Sequence, residues 1–258
     1  RGWGFTWKKR SSRCSVCENV TDNKKVVTLD TPVGRLITEY IYTANTWFIT
    51  SHPVKTVEDM KRLQFYYEDL TITEDYAAYN AMHKDIGDRA LAVPLVGVDM
   101  KSAYQSLIEY WMGTETTVYM TYDYPLEMQQ LLQTMQHKNM ETVQLTADSI
   151  AESAIFWEDS STTNVSPALY QDYIAPEITR WSKAFQKNNK LLIQHACGHL
   201  KSILPAMCKQ GIAAVESLSP PPTGNISLED ALSIIPEDMA IIGGIEPVTL
   251  LGCSLSEL

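Results

Sequence analysis

The chain is poor in positive charge: 21 Lys and Arg stand against 31 Asp and Glu, for a formal net charge of −10. It has no block of Lys or Arg long enough to follow a run of phosphates, which argues against nucleic acid and anionic membrane as partners. No apolar run approaches the roughly 20 residues of a membrane span, and the N-terminus lacks the basic-then-apolar pattern of a signal peptide. Cysteine is scarce and odd in number, five in 258 residues, in a chain too large to need disulfide staples. Free or metal-bound thiols in a reducing, cytoplasmic compartment are therefore expected. Internal repeats are missing, as are low-complexity segments, a P-loop, a dinucleotide fingerprint, a nucleophile elbow and a His-Glu-x-x-His pair.

What is present is an ordinary globular balance, 45% apolar and 20% charged, over the length of one (β/α)8 barrel. Residues 1–25 mix Gly, aromatic, Lys, Ser and Cys without a helical or strand period and read as an irregular start. Val26 to Gly34 and Arg35 to Tyr42 are rich in β-branched and aromatic residues around Pro32-Val33-Gly34, which predicts a β-hairpin excursion over residues 26–50. His52-Pro53-Val54-Lys55 then leads into Thr56-Val57-Glu58-Asp59, where Thr56 is a good N-cap and Asp59 stands at the capping-box position. Beyond it, apolar runs of strand length lie at residues 90–97, 154–157, 191–194, 213–218 and 239–243. Between them come helical segments such as 175–186 and 200–209, and a further helix capped at Ser227 that runs toward Ile235. This alternation predicts an α/β fold of parallel βαβ units with right-handed crossovers, in a single domain over residues 1–258.

In parallel barrels the working groups gather at the carboxyl ends of the strands. The sharpest ending is His195-Ala196-Cys197. Residues two apart in an extended segment point to the same side, so an imidazole and a thiol project together, a nitrogen and sulfur pair that suits Zn²⁺. The plainer alternative, a satisfied core histidine beside a small buried thiol, stays open. Glu216, at the next strand end, is expected as an additional ligand or a near neighbour; Glu246, Cys253 and the weaker His199 are further candidates. Glu158 and Asp159 form a possible catalytic acid/base pair, or else are solvated loop acids. Cys14-Ser15-Val16-Cys17 is half of a zinc ribbon without a second half, and two ordinary thiols are the favoured reading. The aromatics Tyr66, Tyr67, Tyr76, Tyr79, Tyr104, Tyr110 and Trp111 are expected in packing.

The order of these motifs resembles the corrinoid-linked members of the uroporphyrinogen-decarboxylase superfamily. The residues that carry it are Thr31-Pro32-Val33-Gly34, His52 to Asp59, Ser166-Pro167, Tyr173-Ile174-Ala175-Pro176, His195-Ala196-Cys197-Gly198 and Gly243-Gly244-Ile245-Glu246-Pro247. The resemblance implies a (β/α)8 TIM barrel, incomplete at both ends here, with two strands expected ahead of the hairpin and one beyond Leu258. The His-x-Cys strand end is similar to that of the methylcobalamin:coenzyme M methyltransferases. It implies zinc held by His195 and Cys197 with a later Cys as third ligand. It also implies methyl transfer between a corrinoid (methylcobalamin), carried on a partner protein, and a thiol or similar small-molecule donor or acceptor. The alternatives are a metal-free decarboxylase and a non-catalytic corrinoid- or partner-binding barrel. An oligomer is compatible with all three.

Overall fold

Short runs of Ala, Val, Ile and Leu without polar alternation make strands buried on both faces, as a helix-covered parallel sheet requires. In the computed structural model, which describes residues 2–254, the strands are β1 (Gly2–Gly4), β2 (Trp7–Ser11), β3 (Ser15–Thr21), β4 (Lys24–Thr31), β5 (Gly34–Thr43), β6 (Thr46–Ser51), β7 (Leu70–Glu74), β8 (Ala92–Pro94), β9 (Ser153–Trp157), β10 (Leu191–His195), β11 (Ala214–Leu218) and β12 (Ala240–Gly243). Six of these run parallel in the order β1-β8-β9-β10-β11-β12, with β8 and β9 joined by a bridge between Leu95 and Ile155. Among the described residues β1 pairs with β8 and β12 with β11, so the arc ends at these two strands.

Side chains along the arc alternate between two cores. Val93, Leu95, Ile155, Ile193 and Ala214 pack on one another on the inner face, with Trp157 above them. Ala154, Phe156, Leu192 and Val215 face outward into the layer beneath the helices. There Phe156 meets Trp181, of the helix Ala175–Lys187, edge to face at 5.2 Å. Trp181 is 1% exposed, and its truncation to Ala would cost about 3–5 kcal/mol. The helix Pro125–Asp148 crosses between β8 and β9. The Thr56 capping box forms as the sequence predicts, and is worth about 1 kcal/mol.

The sequence reading needs three corrections. Residues 1–25 are not irregular: they contain β1, β2 and β3. The excursion over 26–50 is larger than a hairpin, because β3-β4-β5-β6 form one antiparallel sheet. β3 is exposed at every position and so has no apolar alternation to read, while β1 is three residues long with two glycines. Residues 200–209 are helical only at Leu204–Met207, where Pro205 occupies the first turn, the one place a helix accepts it.

The antiparallel ribbon β2–β7 is tied down by Asp69, the last residue of the helix Val57–Asp69. Its carboxylate accepts from Ser12 N at 2.9 Å, Arg13 N at 2.8 Å and Arg13 Nε at 2.8 Å, and from the Ser11 hydroxyl. The Arg13 guanidinium, with the Ser11 hydroxyl and the backbone, holds this carboxyl well below the usual carboxylate range. A depressed folded-state pKa stabilises the fold fully above the unfolded value near 4, and the contribution is lost as pH falls below it. Asp69→Asn is therefore expected to lower the melting temperature at pH 7 and to differ less from wild type at pH 3, as read by thermal denaturation.

Candidate active site

Parallel pairing sets Trp157 opposite His195, and His195 opposite Glu216. These three side chains stand abreast at the carboxyl ends of β9, β10 and β11 and line a cavity of about 400 Å³. Asp159 and Cys197, each two residues further along its chain, line the same cavity, together with Lys101 and Glu109. Between His195 and Cys197, Ala196 points the other way, is fully buried, and donates its N–H to the Glu216 carbonyl at 2.9 Å. Gly198 ends this segment at φ +78°, and a Cβ there would lie 2.7 Å from Ser161 Oγ, so the turn admits only glycine.

Glu216 closes on His195 through a hydrogen bond between Oε2 and Nδ1. That contact fixes the ring and leaves Nε2 as the nitrogen available to a ligand. Glu216, expected as a ligand or a near neighbour, stands beside His195 in the manner of an orienting partner of a ligating histidine. Cys197 Sγ donates to Asp159 Oδ1 at 3.2 Å. Burial, and then the Asp159 carboxylate, push the thiol up to about 12. Lys101 is 4% exposed, and its Nζ lies 2.7 Å from Glu109 Oε2 and donates to the Trp157 carbonyl at 2.9 Å. Burial favours its neutral form, but the Glu109 carboxylate outweighs it and the net shift is upward. The cavity therefore presents three carboxylates against one ammonium, a field that favours an added cation.

Glu158 and Asp159 separate. Consecutive residues of an extended segment point to opposite sides, so Asp159 reaches the cavity and Glu158 is fully buried. Glu158 accepts from Ser102 N at 2.8 Å and Ser102 Oγ at 2.7 Å. Beside it Glu177, also fully buried, accepts from Ala103 N and Asn139 Nδ2, both at 2.8 Å. The two acids clamp the start of the helical segment that carries Glu109. Glu158 lines no part of the cavity and lies behind its wall, between Trp157 and Asp159 in the chain. The segment then opens into a π-helical turn, Leu107–Trp111, with Met112 N bonded to Leu107 O at 2.7 Å, a feature common at functional sites. His52 Nε2, 3.2 Å from the Glu109 carbonyl, and Val54 N, 2.9 Å from the Trp111 carbonyl, brace that turn.

The other sequence candidates lie elsewhere. His199 is held by its backbone against Ser161 and Thr162. Glu246 is buried and accepts from Thr223 Oγ1 at 2.7 Å. Cys253 follows the helix Pro247–Gly252 and lines no part of this cavity. Cys14 is half-buried, Cys17 is exposed on β3, and no cysteine is in a disulfide. Among the described residues no three His, Cys, Asp or Glu groups are placed to hold a metal ion; His195 and Cys197 meet the cavity as a pair. Lys101, Glu109 and Trp157 were missed from sequence. The strand-end rule points to Trp157 and to the loop holding Lys101, whereas Glu109, inside a helical segment, carries no such signal.

The sequence model of the family described as Uroporphyrinogen decarboxylase (URO-D) matches residues 40–258. No curated protein matches the chain. Among solved structures, a methyltransferase from Methanosarcina mazei is similar at 11% identity and a TM-score of 0.48, over 79% of this chain and 68% of the other. That likeness is too distant to bear on activity.

Burial raises the Glu177 carboxyl to about 7. A raised folded-state pKa means the unfolded chain releases this proton first as pH increases, so stability falls between about pH 4.5 and 7 and levels above. Glu177→Gln, which keeps an acceptor for Ala103 N, is expected to lessen the fall of the melting temperature across that window, measured by thermal denaturation at pH 5, 6 and 7.

Proposed function

The chain belongs to the uroporphyrinogen decarboxylase family, and we propose that it is an enzyme transferring a methyl group between a corrinoid and a thiol or similar acceptor, with His195 and Cys197 as two ligands of a zinc ion. The observation that carries this reading is the shared outlook of His195 and Cys197 into one cavity at the strand ends. An imidazole nitrogen and a sulfur are donors zinc favours, and the surrounding carboxylates offset a cation's charge. The described residues do not complete a set of three ligands, so a further donor is expected from outside them. When bound, zinc lowers the pKa of an acceptor thiol, and a corrinoid on a partner protein supplies the methyl–cobalt bond.

The chain's own side chains then have distinct tasks. Glu216 holds His195 Nδ1 and so directs Nε2. Asp159 Oδ1 receives the hydrogen bond of the Cys197 thiol, and is the atom to which that proton would pass as Cys197 becomes a thiolate. Lys101, kept charged by Glu109, balances part of the negative wall. Trp157 forms one side of the cavity. The decarboxylase alternative needs cations to hold a substrate's carboxylates, and the cavity offers Lys101, already paired with Glu109. A cytoplasmic location fits five unbridged cysteines. Among the described residues no helix is long and apolar enough to cross a membrane.

The test is demethylation of methylcobalamin by a small thiol, followed by the cobalamin absorbance, with protein purified in the presence of zinc. Wild type is expected to turn over, Cys197→Ala and His195→Ala to lose the activity, and Glu216→Gln to fall by about 10–100-fold. Full activity in folded Cys197→Ala would sink the proposal.

A further inference from the structure

A second recess of about 240 Å³ lies on the far side of residues 109–111, roofed by the sheet β3-β4-β5-β6 through Leu29, Leu36 and Thr38. Its volume suits a single substituted ring and falls below the range of drug-sized pockets. Four aromatic side chains line it, Tyr40, Tyr66, Tyr110 and Trp111. Tyr66 and Trp111 are 6.1 Å apart between centroids and inclined at 51°. Walls of this kind favour a ligand with a flat π face, because ring quadrupoles reward edge and offset contacts beyond the area buried.

The floor is polar and asymmetric. Lys9 and Asp99 both line the recess. Asp99 Oδ2 already accepts from Tyr67 Oη and from Trp111 Nε1 at 2.9 Å. Among the described residues Asp99 Oδ1 has its ion pair with Lys9 Nζ, at 3.7 Å, longer than a hydrogen bond. Lys9 Nζ donates to the Val98 carbonyl at 3.1 Å, which leaves protons of its ammonium to give. One acceptor and one donor therefore stand side by side beneath an aromatic slot.

That pairing selects among ligands. A quaternary ammonium would gain the rings and Asp99 but face the Lys9 charge, and a carboxylate would gain Lys9 but face Asp99. A neutral hydroxyl meets neither penalty, because it donates to one group and accepts from the other. We propose that this recess binds an aromatic ring bearing a hydroxyl group, seated with its oxygen between Asp99 Oδ1 and Lys9 Nζ. Such a ligand would sit beside the strand-end cavity, since the Tyr110 ring that walls the recess has Lys101 Nζ 5.4 Å from its centroid. The binding claim stands independently of the methyl-transfer reading.

The test is calorimetric titration of the purified chain with phenol, cyclohexanol and choline, without metal, corrinoid or thiol. Phenol is expected to bind saturably, with cyclohexanol and choline each about tenfold weaker or more. Lys9→Met, at a half-exposed position, is expected to weaken phenol by about tenfold. Thr38→Phe, which fills the recess from its roof, is expected to abolish binding. Circular dichroism confirms that each variant is folded, and Lys9→Met decides the matter if Thr38→Phe is not. Absence of saturable phenol binding, equal binding by folded Lys9→Met, or tighter binding of choline would each overturn the proposal. None of these outcomes touches methyl transfer, and a failed methyl-transfer assay leaves this binding in place.

Discussion

The strand-end site of this chain depends on strand register. Parallel pairing of β9, β10 and β11 places Trp157, His195 and Glu216 side by side at one level, and the βα loops beyond them deliver Asp159 and Cys197 to the same space. The side-chain period in a strand is two, so a slip of one residue on β10 would turn His195 and Cys197 into the helix layer and Ala196 into the cavity. The register is held from both sides by burial: Ile155, Ile193 and Ala214 on the inner face, and Phe156, Leu192 and Val215 beneath the helices. Core packing and site geometry are thus one constraint.

A second layer of control is electrostatic. The cavity carries Glu109, Asp159 and Glu216 against Lys101. Behind the wall, Glu158 and Glu177 are buried against the backbone amides of Ser102 and Ala103. Burial raises both to about 7, so the acids that hold the helical segment give up part of their charge, while Lys101 beside them keeps its own. The π-helical turn that follows sends Glu109 to one recess and Tyr110 and Trp111 to the other. One short segment of backbone therefore shapes two neighbouring cavities.

The parallel strands after residue 90 were legible because each is a short, mostly apolar run between turn signals. The Thr56 and Ser227 caps were legible because the capping atoms lie within three residues of one another. The antiparallel sheet was read only at its middle strands, since exposed β3 has no buried face to impose a pattern. At the site, the pairing of His195 with Cys197 followed from strand alternation. The same alternation parts Glu158 from Asp159, an inference the sequence allowed and that was not drawn. Glu109 was illegible for a physical reason: its place is set by a π-helical turn and by contacts with His52 and Lys101, more than 50 residues and eight residues away respectively. Family membership was carried by motif order over most of the chain, which matches the span of residues 40–258.

X-ray absorption at the zinc edge of the purified protein tests the central claim most directly. The account predicts bound zinc with sulfur at about 2.3 Å and nitrogen or oxygen neighbours at about 2.0–2.1 Å, the sulfur shell losing one neighbour in Cys197→Ser. A protein without bound zinc after reconstitution, or zinc with an unchanged sulfur shell in that variant, would contradict it.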